Sequence, residues 1–490
     1  MFKQADCADL EFAPDEMREM GRLVLERVIG HVASLERQPA VGDLAAEDLC
    51  RSMREPAPQD PAPLEQLLDK LFDEWIPRSY TSSGPGYLAY IPGGGVFPAA
   101  LADLIADGTN RYTGIWQAAP ALVQIEANVL DWLRDWMEFP PTTRGLFTTG
   151  GSMANFNAIV CARERLLGPH LRQGVLYTST QAHHSVLKSA RIAGILGDRV
   201  RALPVDSSFR MDAGALEQAI LEDRRRGLAP FIVVSAAGTT NTGAVDPLDA
   251  ITDICREHGL WHHVDGAYGA CFYACEHLRR LLPGLPRVDS LTLDPHKGLF
   301  LPYGTGALLV ADGSALRAVH AVSAAYLPAG PDADEFYDPS QHGPDLTRGF
   351  PGLRVWLAFK LYGARRIEAA IAEKRDLAVY AAGRIAALPG VVMAAPPQLS
   401  LFAFHLRWPG STLEDENRAT MLLLEKVRQR QRVLLTGCRV DGRFLARVCV
   451  LGFRTRKPRV DACIEDVTEE SAAILELAAS GAGRLPPLPS

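Results

Sequence analysis

No run of about eighteen uninterrupted apolar residues occurs anywhere in this 490-residue chain, and the opening MFKQADCADLEF lacks the apolar core of a secretory leader. Neither a membrane span nor an export signal is therefore expected. Long single-sign charge runs are missing too: 51 basic and 58 acidic side chains leave a net charge of -7 spread along the sequence, which argues against nucleic acid as a partner. Cysteine offers no disulfide framework. Its nine positions (Cys7, Cys50, Cys161, Cys255, Cys271, Cys275, Cys438, Cys449 and Cys463) form an odd, scattered set, as expected of a reduced cytoplasmic protein. Cys271 and Cys275 have no second pair to complete a metal site, so packing is their expected role and no metal is expected.

The sequence is rich in core-forming material. At 47% hydrophobic and 22% charged, it has enough apolar surface for sizeable cores and two or three structural units. Between Gly145 and about Asp312, apolar runs near Leu146, Val175, Val200, Ile232, Trp261, Ser290 and Leu308 alternate with helical stretches, uninterrupted by repeats or low-complexity tracts. Such a βαβ succession implies a mostly parallel seven-stranded sheet covered on both faces, an α/β fold.

The chemistry concentrates where these strands end. In SLTLDPHKGLF, Ser290 to Phe300, the strand alternation is stopped by Asp294 and Pro295, which puts His296 and Lys297 in the following loop. A lysine after a buried strand is costly to leave unpaired. In LWHHVDGAYGA, Leu260 to Ala270, another apolar run ends at Asp265 and is followed by small residues. Two strand ends bearing an acid and a lysine lie on the carboxyl edge of a parallel sheet, where open α/β sheets bind ligands. Pyridoxal 5'-phosphate needs such a lysine, an acid for its pyridine nitrogen and a phosphate cradle. The cradle is TTGGSMANFNAIVCARERL, Thr148 to Leu166: Gly150 and Gly151 permit a tight turn, and Ser152 opens a helix whose free N–H groups bind a phosphate. A glycine turn before a helix is common by itself; the combination is what points to the cofactor. QAHHSVLKSARIAG sets His183 between a strand, Gly174 to Ser179, and a helix, and AAGTTNTGAVDPL sets Thr239 and Thr240 after the strand Phe231 to Val234.

In order and spacing, GGSMANF, QAHHSV, GTTNTGAVDPL, HVDGAYG and DPHKG resemble the group II pyridoxal-phosphate-dependent amino-acid decarboxylases, over roughly Tyr87 to Arg459. The resemblance implies the fold type I architecture of pyridoxal-dependent transferases and a homodimer acting on a small amino acid, aromatic or related. It implies Lys297 as the Schiff-base lysine, Asp265 as the pyridine partner, His183 as an imidazole stacked on the ring, and Ser152, Met153 and Ala154 as the phosphate loop. Thr240, Asp294 and His296 become further cofactor neighbours. The reaction implied is release of CO2 to leave the amine, with an oxygen-using aldehyde synthase as the alternative.

Outside this centre the expectations are coarser. Residues 1–84 read as a helical segment: a stripe through Met17, Met20, Val24, Val28, Val32 and Leu35, a proline-rich break at 56–63, and a helix Leu64 to Trp75. Two such helices cannot bury their faces alone, so a partner subunit is expected to cover them. Residues 85–363 are expected to form the large domain and 364–490 an α+β cap ending in an unstructured GRLPPLPS tail. In the loop Ile91 to Gly95, where relatives carry polar or aromatic groups, the chain has Gly93, Gly94 and Gly95; Gly93, Trp116 and the strand residue Arg447 are candidates for substrate contact, with Tyr112 beside Trp116 at the pocket mouth. The aperiodic stretch after Ala311, rich in Pro, Asp and Gly, reads as a lid. In the resembling family a lid tyrosine protonates the reacting carbon, which nominates Tyr337 and, second, Tyr326. Arg348 and Arg354 stand in the family's basic positions after it.

Overall fold

Apolar alternation and strand pairing together build the centre of the molecule. The computed structural model describes residues 10–43, 45–322, 332 and 335–479. Seven strands form the main sheet: β1 (Arg144–Thr148), β2 (Gly174–Ser179), β3 (Val200–Leu203), β4 (Ala229–Ala236), β5 (Trp261–Asp265), β6 (Ser290–Leu293) and β7 (Gly306–Val310). Their order is β1-β7-β6-β5-β4-β2-β3, parallel throughout except that β7 runs against both its neighbours. Successive side chains go to opposite faces. Phe147 and Leu309 pack under helices Pro120–Trp136 and Pro351–Tyr362, whereas Leu146 and Leu308 pack under helix Gly151–Leu166. This is the doubly covered sheet expected, and it brings the carboxyl ends of β1, β2, β4, β5 and β6 to one edge.

A second, antiparallel sheet holds β8 (Val391–Met393), β9 (Leu401–Leu406), β10 (Thr436–Val440) and β11 (Arg443–Cys449) in the order β10-β11-β9-β8. Helices Ala364–Ala386, Leu413–Gln429 and Lys457–Ala479 cover one of its faces. The chain just past residue 84 belongs with this sheet: Leu88 is buried in its core, donates to the Leu434 carbonyl at 3.1 Å and accepts from the Cys449 N–H at 3.0 Å. Strands β8 and β10 were not anticipated. The first has three half-buried residues and the second, TGCRV, has little apolar alternation, so both are defined by their partners and not by local pattern. Helix Lys457–Ala479, also unanticipated, carries a readable stripe through Val460, Cys463, Ile464, Val467 and Ile474, all buried. The GRLPPLPS tail, Cys7 and Tyr326 lie outside the described residues.

The amino-terminal helix Pro14–Ser34 has no buried residue at all, although its sequence carries an apolar stripe; Val24, Leu25 and Ile29 are each at least 40% exposed. Helix Leu64–Asp69 continues as a π-helical stretch, Lys70–Trp75, and Arg27 pairs with Asp69 across to the first helix. Leu67, Leu71 and Ile76 are exposed beside it. No described helix is long and apolar enough to cross a membrane.

The segment returning from the lid region is pinned by charge. Glu126, on helix Pro120–Trp136 and 1% exposed, accepts from the Arg348 guanidinium and, at 3.3 Å, from the Gly352 N–H. A Cβ at Gly352 would sit 2.8 Å from that of Glu126, so the glycine admits the close approach. Removing the carboxylate leaves a buried cation unpaired. Glu126→Ala is expected to lower unfolding free energy by about 3–5 kcal/mol, read from the urea midpoint; a loss below about 1 kcal/mol would show that the pair is not the anchor.

Candidate active site

The glycine turn after β1 forms the floor of the site. Gly150 has φ 156° and ψ 175°, a conformation essentially restricted to glycine, and it leads directly into helix Gly151–Leu166. Its carbonyl takes the Met153 and Ala154 N–H groups at 3.0 and 3.2 Å. Behind it, a Cβ on Gly306 of β7 would fall 2.5 Å from the Gly150 Cα and 2.8 Å from Asp294 Oδ1. The turn and β7 therefore touch backbone to backbone. Ser152 and Met153 line the cavity this creates, while Ala154 is fully buried behind it.

The acid and the lysine open into the same cavity, of about 370 Å³. Asp265, last residue of β5, accepts at Oδ2 from Asn155 Nδ2 (2.8 Å) and at Oδ1 from the Ala267 N–H (3.2 Å). Lys297 lies in a single helical turn, Pro295–Gly298, instead of a plain loop, and its Nζ is 2.8 Å from Oδ2 of Asp294. Asp294 is 3% exposed and its Oδ1 has no hydrogen-bond partner among the described residues. His183, whose ring Nδ1 accepts from the Ser185 N–H at the start of helix His184–Ile192, also faces the cavity; burial holds its imidazole below the usual histidine range, with Asp265 pulling the other way. His296 donates Nδ1–H to the Thr305 carbonyl at 2.8 Å and is likewise lowered by burial, against the pull of Asp294. Thr240 completes the wall.

Other expected contacts fall elsewhere. Gly93 does not line the cavity: its Cβ would meet the Tyr303 ring at 2.8 Å and the His296 carbonyl at 3.2 Å, and a Cβ on Gly94 would lie 2.0 Å from the Phe300 carbonyl oxygen. The glycines let this loop lie flat on the loop that carries Lys297, an approach reinforced by the Val96 N–H on the Phe300 carbonyl (3.0 Å) and by Phe300 at φ 62°. Ile91 is the member of the loop that reaches the cavity. Arg447 is 4% exposed and spends its donors on protein: Nε to the Asn241 carbonyl (3.0 Å), and others to Thr436 Oγ1, the Tyr90 carbonyl and the Thr240 carbonyl. It clamps the Thr240 loop in place of meeting a substrate carboxylate. Trp116 packs on Phe336 at 4.8 Å, the Tyr112 hydroxyl donates to the Leu346 carbonyl (3.3 Å), and neither lines the cavity. Tyr337 lies in a different hollow beside Arg134, Thr143 and Arg144, its ring 4.9 Å from that of His342; its hydroxyl has no hydrogen-bond partner among the described residues, and burial pushes the phenol well above its usual range. It does not line the cavity that holds Lys297; with Glu335 and Phe336 it lies against Gln124, Ala127 and Leu130 of helix Pro120–Trp136. Asn155, which joins Asp265 to its surroundings, stood in a quoted motif with no signal of its own beyond being an amide on the inward face of a helix.

These residues fit pyridoxal phosphate on chemical grounds: a glycine cradle closed by backbone contact, a carboxylate held by two donors, and an amine paired with a buried acid, all on one cavity. The fold and this site define a fold type I pyridoxal-phosphate enzyme. The model of the pyridoxal-dependent decarboxylase conserved domain matches residues 47–407, and the chain belongs to that family of amino-acid decarboxylases. It is 30% identical to an aromatic-L-amino-acid decarboxylase of Bacillus atrophaeus over 91% of this chain and 94% of that one. In structure it is similar to Catharanthus roseus tryptophan decarboxylase in complex with L-tryptophan, at 25% identity, with a TM-score of 0.89 over 95% of this chain and 100% of the other. The Rhodiola rosea 4-hydroxyphenylacetaldehyde synthase shares the fold, at 24% identity, with a TM-score of 0.87 over 94% of this chain and 99% of that one. The cofactor of this chain is pyridoxal 5'-phosphate, and it is a carboxy-lyase.

Because Gly306 meets Gly150 without a side chain between them, Gly306→Ala should push the cradle open. An overpacking cost of about 1–3 kcal/mol predicts pyridoxal phosphate affinity about ten- to hundred-fold weaker by fluorescence titration. Unchanged affinity would remove the contact from the account of the cradle.

Proposed function

We propose that this enzyme releases CO2 from an aromatic L-amino acid to leave the amine, with Lys297 as the residue that binds the cofactor aldehyde and Asp265 as the partner of its ring nitrogen. One observation carries the reading: these two groups, 32 residues apart at separate strand ends, open into one cavity with His183 beside them. The aromatic class rests on the relatives, a Bacillus aromatic-L-amino-acid decarboxylase and a plant tryptophan decarboxylase, and on Ile91 as an apolar wall.

Pyridoxal phosphate, when bound, supplies an aldehyde that condenses with an amine and a protonated ring that takes up the electrons of the breaking carbon–carboxylate bond. The protein's part is to hold charges and protons. Asp265, with Asn155 and Ala267 donating to it, is fixed in orientation and keeps a lone pair for a cationic N–H. Asp294 Oδ2 stabilises the Lys297 Nζ as an ammonium when that amine is free and takes up its proton when it must act as a nucleophile. Ser152 and the first N–H groups of helix Gly151–Leu166 bind a phosphate dianion, with Met153 and Ala154 continuing the turn and His296 and Thr240 beside it. His183, kept below its usual pKa, is neutral near pH 7, and Ile91, Ala236 and Ala267 limit water at the reacting atoms.

We also propose a cytoplasmic homodimer. A 21-residue helix with no buried residue, beside exposed Leu67 and Leu71, needs a covering surface, and a second copy supplies it. The eight described cysteines are all free, as a reducing compartment requires. We place the proposed division between the large-sheet and small-sheet domains at 363/364, whereas the chain just past 84, with Leu88 in the small-sheet core, does not make 84/85 a clean boundary.

Tyr337 does not line the cavity and Tyr326 lies outside the described residues, so the aldehyde-synthase chemistry, which follows when no tyrosine protonates the reacting carbon, stays as a second reading. Assaying aromatic amino acids for CO2, amine and hydrogen peroxide together separates the two: the decarboxylase reading expects amine equal to CO2 and no peroxide. In the same assay Tyr337→Phe should convert amine to aldehyde, peroxide and ammonia if the lid tyrosine is the donor, and leave the ratio unchanged if it is not. Lys297→Ala should abolish the visible absorbance of lysine-linked cofactor and CO2 release alike; a variant with the wild-type spectrum would overturn the assignment.

A further inference from the structure

Beneath the cavity lies a dry chain of polar side chains in which the place of every hydrogen can be deduced. Asn155, His263, Thr292 and Ser290 are 0% exposed and Ser185 is 1% exposed. The deduction starts at Asp265, whose carboxylate oxygens only accept. Because Asp265 Oδ2 lies 2.8 Å from Asn155, the amide must present its nitrogen there, and the same Nδ2 donates its second hydrogen to Ser185 Oγ at 3.1 Å. That choice turns Asn155 Oδ1 toward Thr292 Oγ1 (2.8 Å) and His263 Nε2 (3.0 Å), so both of those atoms must carry hydrogens. A neutral His263 then has a bare Nδ1, which takes the Ser290 hydroxyl hydrogen at 2.8 Å, while Ser290 Oγ accepts the Trp261 indole N–H at 2.7 Å. Burial lowers the His263 pKa to about 4, against the pull of Asp265, so the neutral form is the one present. All four hydrogen-bonding sites of Asn155 are satisfied, and flipping its amide would set its oxygen against the Asp265 carboxylate and its N–H groups against the hydrogens on Thr292 Oγ1 and His263 Nε2.

The consequence appears on the other branch. The Ser185 N–H points at His183 Nδ1 at 3.4 Å, which makes that nitrogen an acceptor, so Ser185 Oγ, 2.7 Å from the same atom and already accepting from Asn155, directs its own hydrogen there. With Nδ1 accepting twice, a neutral His183 carries its proton on Nε2. We propose that Asn155 is a positioning residue that fixes the tautomer of His183: oriented by the Asp265 carboxylate, it passes that orientation through Ser185 and leaves His183 with a single donor, Nε2–H. This rests on the reading of Asp265 and His183 as cofactor-facing residues, yet concerns only hydrogens of the protein itself. It also links two residues at different strand ends, so that the acid set for the ring nitrogen and the imidazole beside the ring are adjusted together.

The test is nitrogen NMR of the full-length protein, with and without pyridoxal phosphate, carrying ring-labelled histidine and with the His183 signals assigned by their loss in His183→Asn. The wild-type protein is expected to show His183 with a bare Nδ1 and a protonated Nε2. Asn155→Asp offers Ser185 an acceptor, diverts the hydroxyl hydrogen from His183 and should shift the ring toward a mixture of tautomers. Ser185→Ala should do the same without altering the groups on Asp265, and Ser185→Thr should restore the wild-type signals. A wild-type His183 protonated on Nδ1, or an Nε2–H tautomer unchanged in both Asn155→Asp and Ser185→Ala, would overturn the proposal. If Asn155→Asp fails to fold, the Ser185 pair decides alone. Loss of CO2 release with an unshifted tautomer would count against this inference and leave the decarboxylase reading standing, whereas a wild-type enzyme with the expected tautomer and no activity on aromatic amino acids would do the reverse.

Discussion

A carboxylate at the end of a buried strand must be given donors, and the structure is organised around how Asp265 receives its own. One comes from the backbone two residues on, at Ala267, and one from Asn155 on the helix that begins at the glycine turn. The second contact is the informative one, because it ties β5 to the helix that forms the cradle and fixes their separation. Lys297 and Asp294, which follow the neighbouring strand β6 and line the same cavity, form the complementary unit, an amine and a buried acid 2.8 Å apart. The site thus joins two charge arrangements from adjacent strand ends in one cavity of about 370 Å³, and the parallel strands supply the rigidity that holds them there.

Backbone closeness does the rest of the positioning. At three points glycine substitutes absence for contact: Gly150 against Gly306, Gly94 against Phe300 and Gly352 against Glu126. Each removes the thickness of a side chain between segments that must meet, and each lies within one connection of a functional group. Arg447 contributes in a related way by holding the Tyr90, Thr240 and Asn241 carbonyls together, which ties the small sheet to the cavity wall.

Much of this was legible in the residues. The seven strands of the main sheet, and the placing of the glycine turn, Asp265, Lys297 and His183 at strand ends around one cavity, are legible because buried parallel strands read as apolar runs and because their ends are marked by abrupt polar or glycine punctuation. Placement across the tertiary structure was not legible. Whether Arg447 faces a ligand or three carbonyls depends on how two sheets dock, and whether Gly93 lines a pocket or lies on Tyr303 depends on loop packing, neither of which leaves a periodic trace. Tyr337 was chosen by its offset from Arg348, and an offset says nothing about which way an irregular segment turns. Asn155 was missed for a different reason: an amide on a helix beside small residues looks like any polar side chain until its four partners are known.

The flat seating of the Ile91 to Gly95 loop has a consequence for how such an enzyme acquires new preferences. A side chain added at Gly94 collides with the Phe300 backbone, on the segment just after Lys297, and one added at Gly93 must first displace the exposed Tyr303 ring. Diversification of this loop is therefore channelled toward Ile91, the member that reaches the cavity, and away from Gly94, where the backbone leaves no room.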